Sequence, residues 1–244
     1  MATRNPATTQ YGCAVLAGGV GSRMGGVNKA LLPVGKSVSA IGDAAQAAIA
    51  GEGAPETILE RTARILDGTG MPCCLSVAAY EQDVPDGWTV VPDADYLRGI
   101  CSLPDEKGSA VAGPLGGIYA CLCRAAEEGI DGLFFVPCDA PHYEADVIEK
   151  MLPHLKQNSA HTEEAGSNPT DAVIWTTADG RQQVAFGWYS VSCLPVLHRQ
   201  LAGGHYKVRE ALAKLQVKEL RAAEEGVPEE RFHNLNTPDD LKKR

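Results

Sequence analysis

Between Tyr11 and Pro33 the chain reads YGCAVLAGGVGSRMGGVNKALLP, and this stretch limits what the remainder can be. Tyr11 to Ala17 is a short apolar run without charge, which predicts a buried strand. Behind it come Gly18, Gly19, Gly21, Gly25 and Gly26, with Arg23 and Lys29 set among them. Glycines at this density cost backbone entropy, so the fold must use what they supply. They admit φ above zero and let main-chain N–H groups crowd around an anion. Arg23 and Lys29 add positive charge at the same place. A strand running into such a loop is a cradle for phosphates. The bland alternative is a glycine-rich surface turn without a ligand; basic side chains interleaved directly after a strand argue against it.

Two common phosphate loops do not fit. Gly35-Lys36-Ser37 matches the end of a Walker A loop, but Ala30 stands where its first glycine belongs. Gly19-Val20-Gly21 is followed by Ser22, Arg23 and Met24, so the dinucleotide fingerprint fails as well. The 244 residues suffice for one large domain. The net charge of −9, with no basic stripe, speaks against a nucleic-acid or membrane surface. It also means that a phosphate site must be positive locally, against the field of the whole chain. The polar start, MATRNPATTQ, lacks the apolar centre of a signal peptide. It reads as a disordered tail over residues 1–10, and the protein as cytoplasmic. None of the eight cysteines forms a C-x-x-C pair, so reduced, buried thiols are expected rather than a disulfide or metal framework.

Beyond the loop, helical and strand patterns alternate. Glu56 to Leu66 carries a helical stripe. Met71 to Val77 and Trp88 to Val91 read as short strands, the second ending in Pro92-Asp93. A helix over about Leu115 to Glu128 precedes GLFFV, Gly132 to Val136, the most apolar strand. This order predicts an α/β fold: a single Rossmann-like three-layer α/β/α domain over 11–244 with a mostly parallel central sheet. In such sheets ligands lie beyond the C-terminal strand ends, so the loops after Ala17, Val77 and Val91 should converge. Glu144 to Leu155 reads as one helix and Gln157 to Thr170 as a polar loop. Asp171 to Thr176 and Gln183 to Tyr189 surround the turn Ala178-Asp179-Gly180, predicting a small antiparallel β element, a hairpin or edge. Cys193 to Leu201 and Tyr206 to Leu215 read as helices. At their junction His205, Lys207 and Arg209 form either a solvated charged face or a second anion site.

Pro137-Cys138-Asp139-Ala140-Pro141 follows the GLFFV strand. A carboxylate there sits at the ligand crevice, held extended by flanking prolines. Asp139 suits Mg²⁺, a hard cation that takes one or two carboxylates plus phosphate oxygens and water. Capping a helix that starts near Tyr143 is the competing role. In Gly113-Pro114-Leu115-Gly116-Gly117-Ile118, proline fits a first helical turn and the glycines permit close approach.

These residues together resemble the molybdenum cofactor guanylyltransferases and their nucleotidyltransferase relatives. LAGGVGSRMGGVNK, Leu16 to Lys29, is similar to the pattern LAGG-x-x-x-RMGG-x-DK, departing from it at Asn28. GPLGGI resembles the family's GPL-x-G motif, PCDAP its magnesium motif, and NLNTPDDL, Asn234 to Leu241, its motif N-x-NTP-(D/E)-(D/E)-L. The resemblance implies a nucleotide-binding half over 11–142 and an acceptor-side half over 143–244. Segments 38–55 and 99–112 then look like insertions. It implies nucleotide contacts from Leu16, Ala17, Gly18, Gly19, Gly21, Arg23, Lys29, Ser76, Asp93, Gly113 and Gly117. Catalytic roles fall to Lys29, Arg23 and Asp139, with Asp139 holding Mg²⁺, and acceptor contacts to Asn234 and Asn236. GTP would be the donor and molybdopterin or molybdenum cofactor the acceptor, with cofactor-accepting apo-enzymes or chaperones as further partners. LAGG resembles the guanylyl form; relatives using CTP more often show LAAG. Cytidylyl or sugar-phosphate transfer, or a catalytically silent nucleotide-binding adaptor, are the alternatives. Asn28 in place of Asp, Val184 where the family often has proline, and the three long loops bear on the last.

Overall fold

The structure is a computed structural model of the chain, and it describes residues 10–18, 29–34, 55–78, 84–101, 112–159 and 169–235. Seven strands form one sheet: β1 (Tyr11–Leu16), β2 (Cys73–Val77), β3 (Thr89–Pro92), β4 (Gly132–Pro137), β5 (Ala172–Thr176), β6 (Gln182–Ser190) and β7 (Val217–Arg221). Their spatial order is β3-β2-β1-β4-β6-β5-β7. β1 pairs in parallel with both β2 and β4, β2 with β3, and β5 with β7. Only β6 runs the other way, antiparallel to β4 and to β5. This is the expected mostly parallel α/β sheet.

The central strands β1, β2 and β4 are apolar on both faces because both faces are covered. On one side Cys13, Val15, Leu75, Phe134 and Val136 join one cluster with α1 (Ile58–Asp67) and with α4 (Asp146–Glu149) and α5 (Leu152–Ser159). On the other, Ala14, Cys74, Leu133 and Phe135 pack with α3 (Gly113–Glu128) and α6 (Leu194–Ala202). Every residue of β4 is buried, and each large side chain so placed contributes roughly 1.5–3 kcal/mol of burial. All eight cysteines are free thiols, as composition led one to expect.

Local sequence explains the helix ends. Thr57 and Glu60 form a reciprocal capping box at the start of α1. Pro114 lies in the first turn of α3, and Gly129, in the left-handed conformation at φ 76°, ends that helix with its N–H on Ala125 O and Ala126 O.

Several expectations need correction. Glu144 to Leu155 is two short helices, α4 and α5, separated at Lys150 and Met151. Pro153 has no N–H for Glu149, and its ring crowds that carbonyl, so a single helix cannot pass. β5 and β6 form the expected antiparallel hairpin, but it lies inside the sheet and not at its edge. β6 lies between β4 and β5, and β7 covers the far side. β7 had no apolar signal: VKELR puts alternating charge on an edge strand, the usual protection of an exposed sheet edge. Tyr206 to Leu215 is helical only in α7 (Val208–Leu212). The short helices α2 (Asp93–Leu97) and α8 (Ala222–Glu225) complete the elements used below.

The proposed insertions lie almost wholly outside the described residues, as do the polar segment at 160–168 and residues 1–9 of the tail. The ends of the first insertion meet: Val34 N–H donates to Glu56 O at 2.8 Å and Ile58 N–H to Leu32 O at 2.9 Å.

Candidate active site

The sheet order reverses at β1. The chain goes from β1 outward through β2 to β3, then returns to place β4 on the opposite side of β1. Beyond the C-terminal ends of β1 and β4 is thus the place where sheets of this kind bind ligands. Register sets what stands there: Leu16 pairs with Ser76 on one side and Pro137 on the other, and Ser76 pairs with Val91. Ala17 N–H donates to Ser76 O at 2.9 Å, and Cys138 N–H to Leu16 O at 3.1 Å.

Two groups of side chains converge. The first centres on Lys29 and Asp139. After the glycine loop, a 3-10 turn over Lys29–Leu31 carries the lysine back to the tip of β4. Lys29 Nζ donates to Asp139 Oδ2 at 2.9 Å, with both side chains largely buried. Asp139 does not cap a helix: α4 begins at Asp146 behind Ala145. Its main-chain carbonyl accepts from Leu235 N–H at 2.9 Å, which brings Asn234 beside the same tip.

The second group lies at the ends of β1 and β2 and in α2 and α3. Ser76 Oγ donates to Asp93 Oδ1 at 2.7 Å. A Cβ on Gly18 would stand 3.0 Å from Asp93 Oδ2, and one on Gly117 only 2.5 Å from Ser76 Oγ and 3.0 Å from Leu16 Cδ2. Gly117 is therefore a close-approach glycine: no side chain fits between α3 and the strand ends. Burial pushes the Asp93 carboxyl up to about 6, against the lowering effect of the Ser76 hydroxyl. Gly113, at φ 52°, opens α3.

Leu16, Ala17, Gly18, Lys29, Ser76, Asp93, Gly117 and Asp139 thus come together around one crevice, with Gly113 at the helix start and Asn234 alongside. Gly19, Gly21, Arg23 and Asn236, as well as the departure at Asn28, lie outside the described residues. Sequence reasoning missed a strap. Arg231 Nε donates to Asp146 Oδ2 at 3.2 Å, and its guanidinium also reaches His142 O at 3.3 Å. It pins the C-terminal segment onto the β4 loop, and no local pattern announces a contact between residues 85 positions apart. The group at His205 and Lys207 is a solvated face: Lys207 Nζ lies 3.2 Å and His205 Nδ1 3.8 Å from Glu210.

The chemistry this arrangement permits is narrow. Burial and then the neighbouring Asp139 carboxylate push the Cys138 thiol up to about 12, which holds it in its neutral form. Among the described residues no three His, Cys, Asp or Glu side chains converge on a metal position. A lone hard carboxylate at a phosphate crevice still fits Mg²⁺, which leaves most of its positions to phosphate oxygens and water.

Fold and crevice together define a nucleotide-handling α/β protein whose charged groups suit phosphate chemistry. Residues 13–219 match the MobA-like NTP transferase domain, and the chain belongs to that family. It is 26% identical over 235 residues to a molybdenum cofactor guanylyltransferase of Vibrio campbellii, covering 96% of this chain and 94% of the relative. It is 28% identical over 233 residues to the protein of that name from Cupriavidus necator, covering 93% and 92%. Its fold is similar to that of molybdopterin-guanine dinucleotide biosynthesis protein A from Archaeoglobus fulgidus, with a TM-score of 0.59, 20% identity and 96% of each chain covered. The chain is therefore a MobA-like nucleotidyltransferase.

Proposed function

We propose that the protein transfers GMP from GTP to the terminal phosphate of molybdopterin or its metal-loaded form, releasing pyrophosphate. The observation that carries this reading is the Lys29–Asp139 pair, 2.9 Å apart at the point where the sheet order reverses. It supplies one cation for a polyphosphate and one carboxylate for its counter-ion, next to the glycine loop. The names of the similar guanylyltransferases support guanine and the cofactor acceptor.

In this reaction an acceptor phosphate oxygen attacks the α-phosphorus, the bond to the bridging α–β oxygen breaks, and pyrophosphate leaves. A phosphate monoester has a second pKa near 6, so roughly nine-tenths of it is dianion at pH 7 and no protein base is needed. That suits a crevice whose described residues offer no activated Ser or Cys. The burden falls on positioning and charge. Lys29 holds the β- and γ-phosphates, exchanging Asp139 for phosphate oxygens as the triphosphate enters. Arg23 and the main-chain N–H groups of the glycine loop add donors. Asp139 would hold Mg²⁺, which when bound stabilises charge on the phosphate oxygens. Leu16, Gly18 and Asp93 face the nucleoside, and Asn234 and Asn236 the acceptor.

The test is pyrophosphate release with GTP or CTP, Mg²⁺ and molybdopterin. Release with GTP and acceptor together supports the reading. Release with CTP alone moves it to cytidylyl transfer, and nucleotide binding without release makes the protein a silent binder.

A further inference from the structure

Ser76 and Asp93 are both among the residues that resemblance places near the nucleoside, yet their surroundings differ. Ser76 is 1% exposed and Asp93 8%. The hydroxyl of Ser76 is enclosed: Gly117 of α3 lies over it so closely that even a methyl group there would stand 2.5 Å away, and its hydrogen bond goes to Asp93 Oδ1 at 2.7 Å. No ligand atom fits between them. The other carboxylate oxygen, Oδ2, faces Gly18 at the start of the glycine loop, 3.0 Å from where a Cβ would be.

We propose that Ser76 is a positioning residue, which never touches the nucleotide but grips one carboxylate oxygen of Asp93 and so presents the other to the N–H or O–H donors of the nucleoside. The proposal rests on the nucleotide reading above and assigns a separate role within it. An ionised carboxylate only accepts hydrogen bonds, whereas a protonated one carries a donor of its own. Held as an acceptor, Asp93 matches a donor-bearing nucleoside edge; protonated, it mismatches that edge. Gly117 then follows from Ser76, since a side chain on α3 would occupy the space of the hydroxyl.

The groups around Asp93 leave Ser76 as the main support of its charge. Its own helix α2 brings Asp95 and Tyr96, β2 brings Cys74, and α3 brings the Cys121 thiol, which the Cys74 hydrogen bond and burial push up, with a smaller effect from the Asp93 charge. From β1 and the loop behind it come Leu16 and Gly18, without charge. No ion pair involving Asp93 occurs among the described residues. Of the influences on its carboxyl, burial raises the pKa to about 6 and the Ser76 hydrogen bond opposes it.

The experiment follows the Asp93 carboxyl by ¹³C NMR in the ligand-free protein, with Asp93→Asn identifying the signal, in wild type and Ser76→Ala. GTP·Mg²⁺ affinity is measured on both proteins between pH 6.5 and 8.5, and thermal melts establish that both are folded. Loss of the hydroxyl should raise the Asp93 midpoint by about one unit, the scale of losing a hydrogen bond to the charged form. For that displacement the ratio of mutant to wild-type Kd falls about threefold from pH 6.5 to 8.5, because both carboxyls are then ionised. An unmoved midpoint overturns the proposal. So does a loss of affinity that is the same at both pH values, which marks a direct or merely structural role. If GTP binds to neither protein at any pH, the nucleotide reading falls. The carboxyl titration, made without nucleotide, still decides whether Ser76 holds Asp93.

Discussion

On the proposed function, Asp93 would trade stability for binding. Its carboxyl titrates near 6 in the fold against 3.8 for the free group, chiefly because it is buried. The folded protein therefore holds this proton more tightly than the unfolded chain between those values. Its contribution to stability is fully present below pH 3.8, declines as pH rises, and is gone above about 6. Two units correspond to about 3 kcal/mol at most. Asp93→Asn should raise the melting temperature at pH 7 and change it little at pH 4, while weakening GTP binding. Melting curves at the two pH values and a binding titration check both halves. Lys29→Ala and Asp139→Asn belong to the same scale. Each should lower kcat by about two to three powers of ten, the size of a lost preorganised charge contact, and leave the fold in place. Steady-state pyrophosphate release and circular dichroism measure the two effects, and a parental rate in either variant removes the role assigned to it.

At the level of elements, α3 carries most of the consequence. Its N-terminal part packs Gly117 against Ser76 and Leu16, and its last turn ends at a left-handed glycine. Gly117→Ala puts a methyl 2.5 Å from Ser76 Oγ and 3.0 Å from Leu16 Cδ2, forcing helix and strands apart. Overpacking of this kind costs about 1–3 kcal/mol, and GTP affinity should fall with it. Gly129→Ala, at φ 76° and with open space around the new Cβ, should cost about 1 kcal/mol and leave affinity unchanged. Denaturant titrations of the two variants beside GTP binding separate the site end of the helix from its structural end. The elements also show what a one-dimensional pattern carries. GLFFV and the helical stripe of α1 were legible because their signals are local. Pro153 was visible in the sequence, but the helical stripe of Val147, Ile148 and Met151 masked the break it makes. β7 was not legible, since its charged alternation is the pattern of an exposed loop until β5 is found beside it.

For the whole molecule, the net charge is −9, whereas the proposed function asks the site to hold a polyphosphate. Local cations and main-chain donors therefore have to outweigh the long-range field. Binding should show as linkage. At a hundredfold excess over Kd, GTP·Mg²⁺ adds about 2.7 kcal/mol. For a chain of this size that is a rise in melting temperature of about 5–10 °C. CTP·Mg²⁺ at the same concentration should produce a smaller rise, and equal shifts would remove the guanine preference from the proposed function.

The glycine loop with its basic residues, the carboxylate between prolines at the end of an apolar strand, and the alternation of helix with strand were all written in runs of ten residues or so. Such signals report local chemistry: backbone freedom, charge type, periodicity. Partnership across the crevice is of another kind. Lys29 meets Asp139 across 110 positions and Ser76 meets Asp93 across 17, while Leu235 clasps the main chain of Asp139 from near the far end of the chain. The Asp139 contacts exist because β4 returns to the opposite side of β1 from β2, and the Ser76 contact because β3 pairs with β2; that strand order is decided by packing two apolar faces at once rather than by any segment alone.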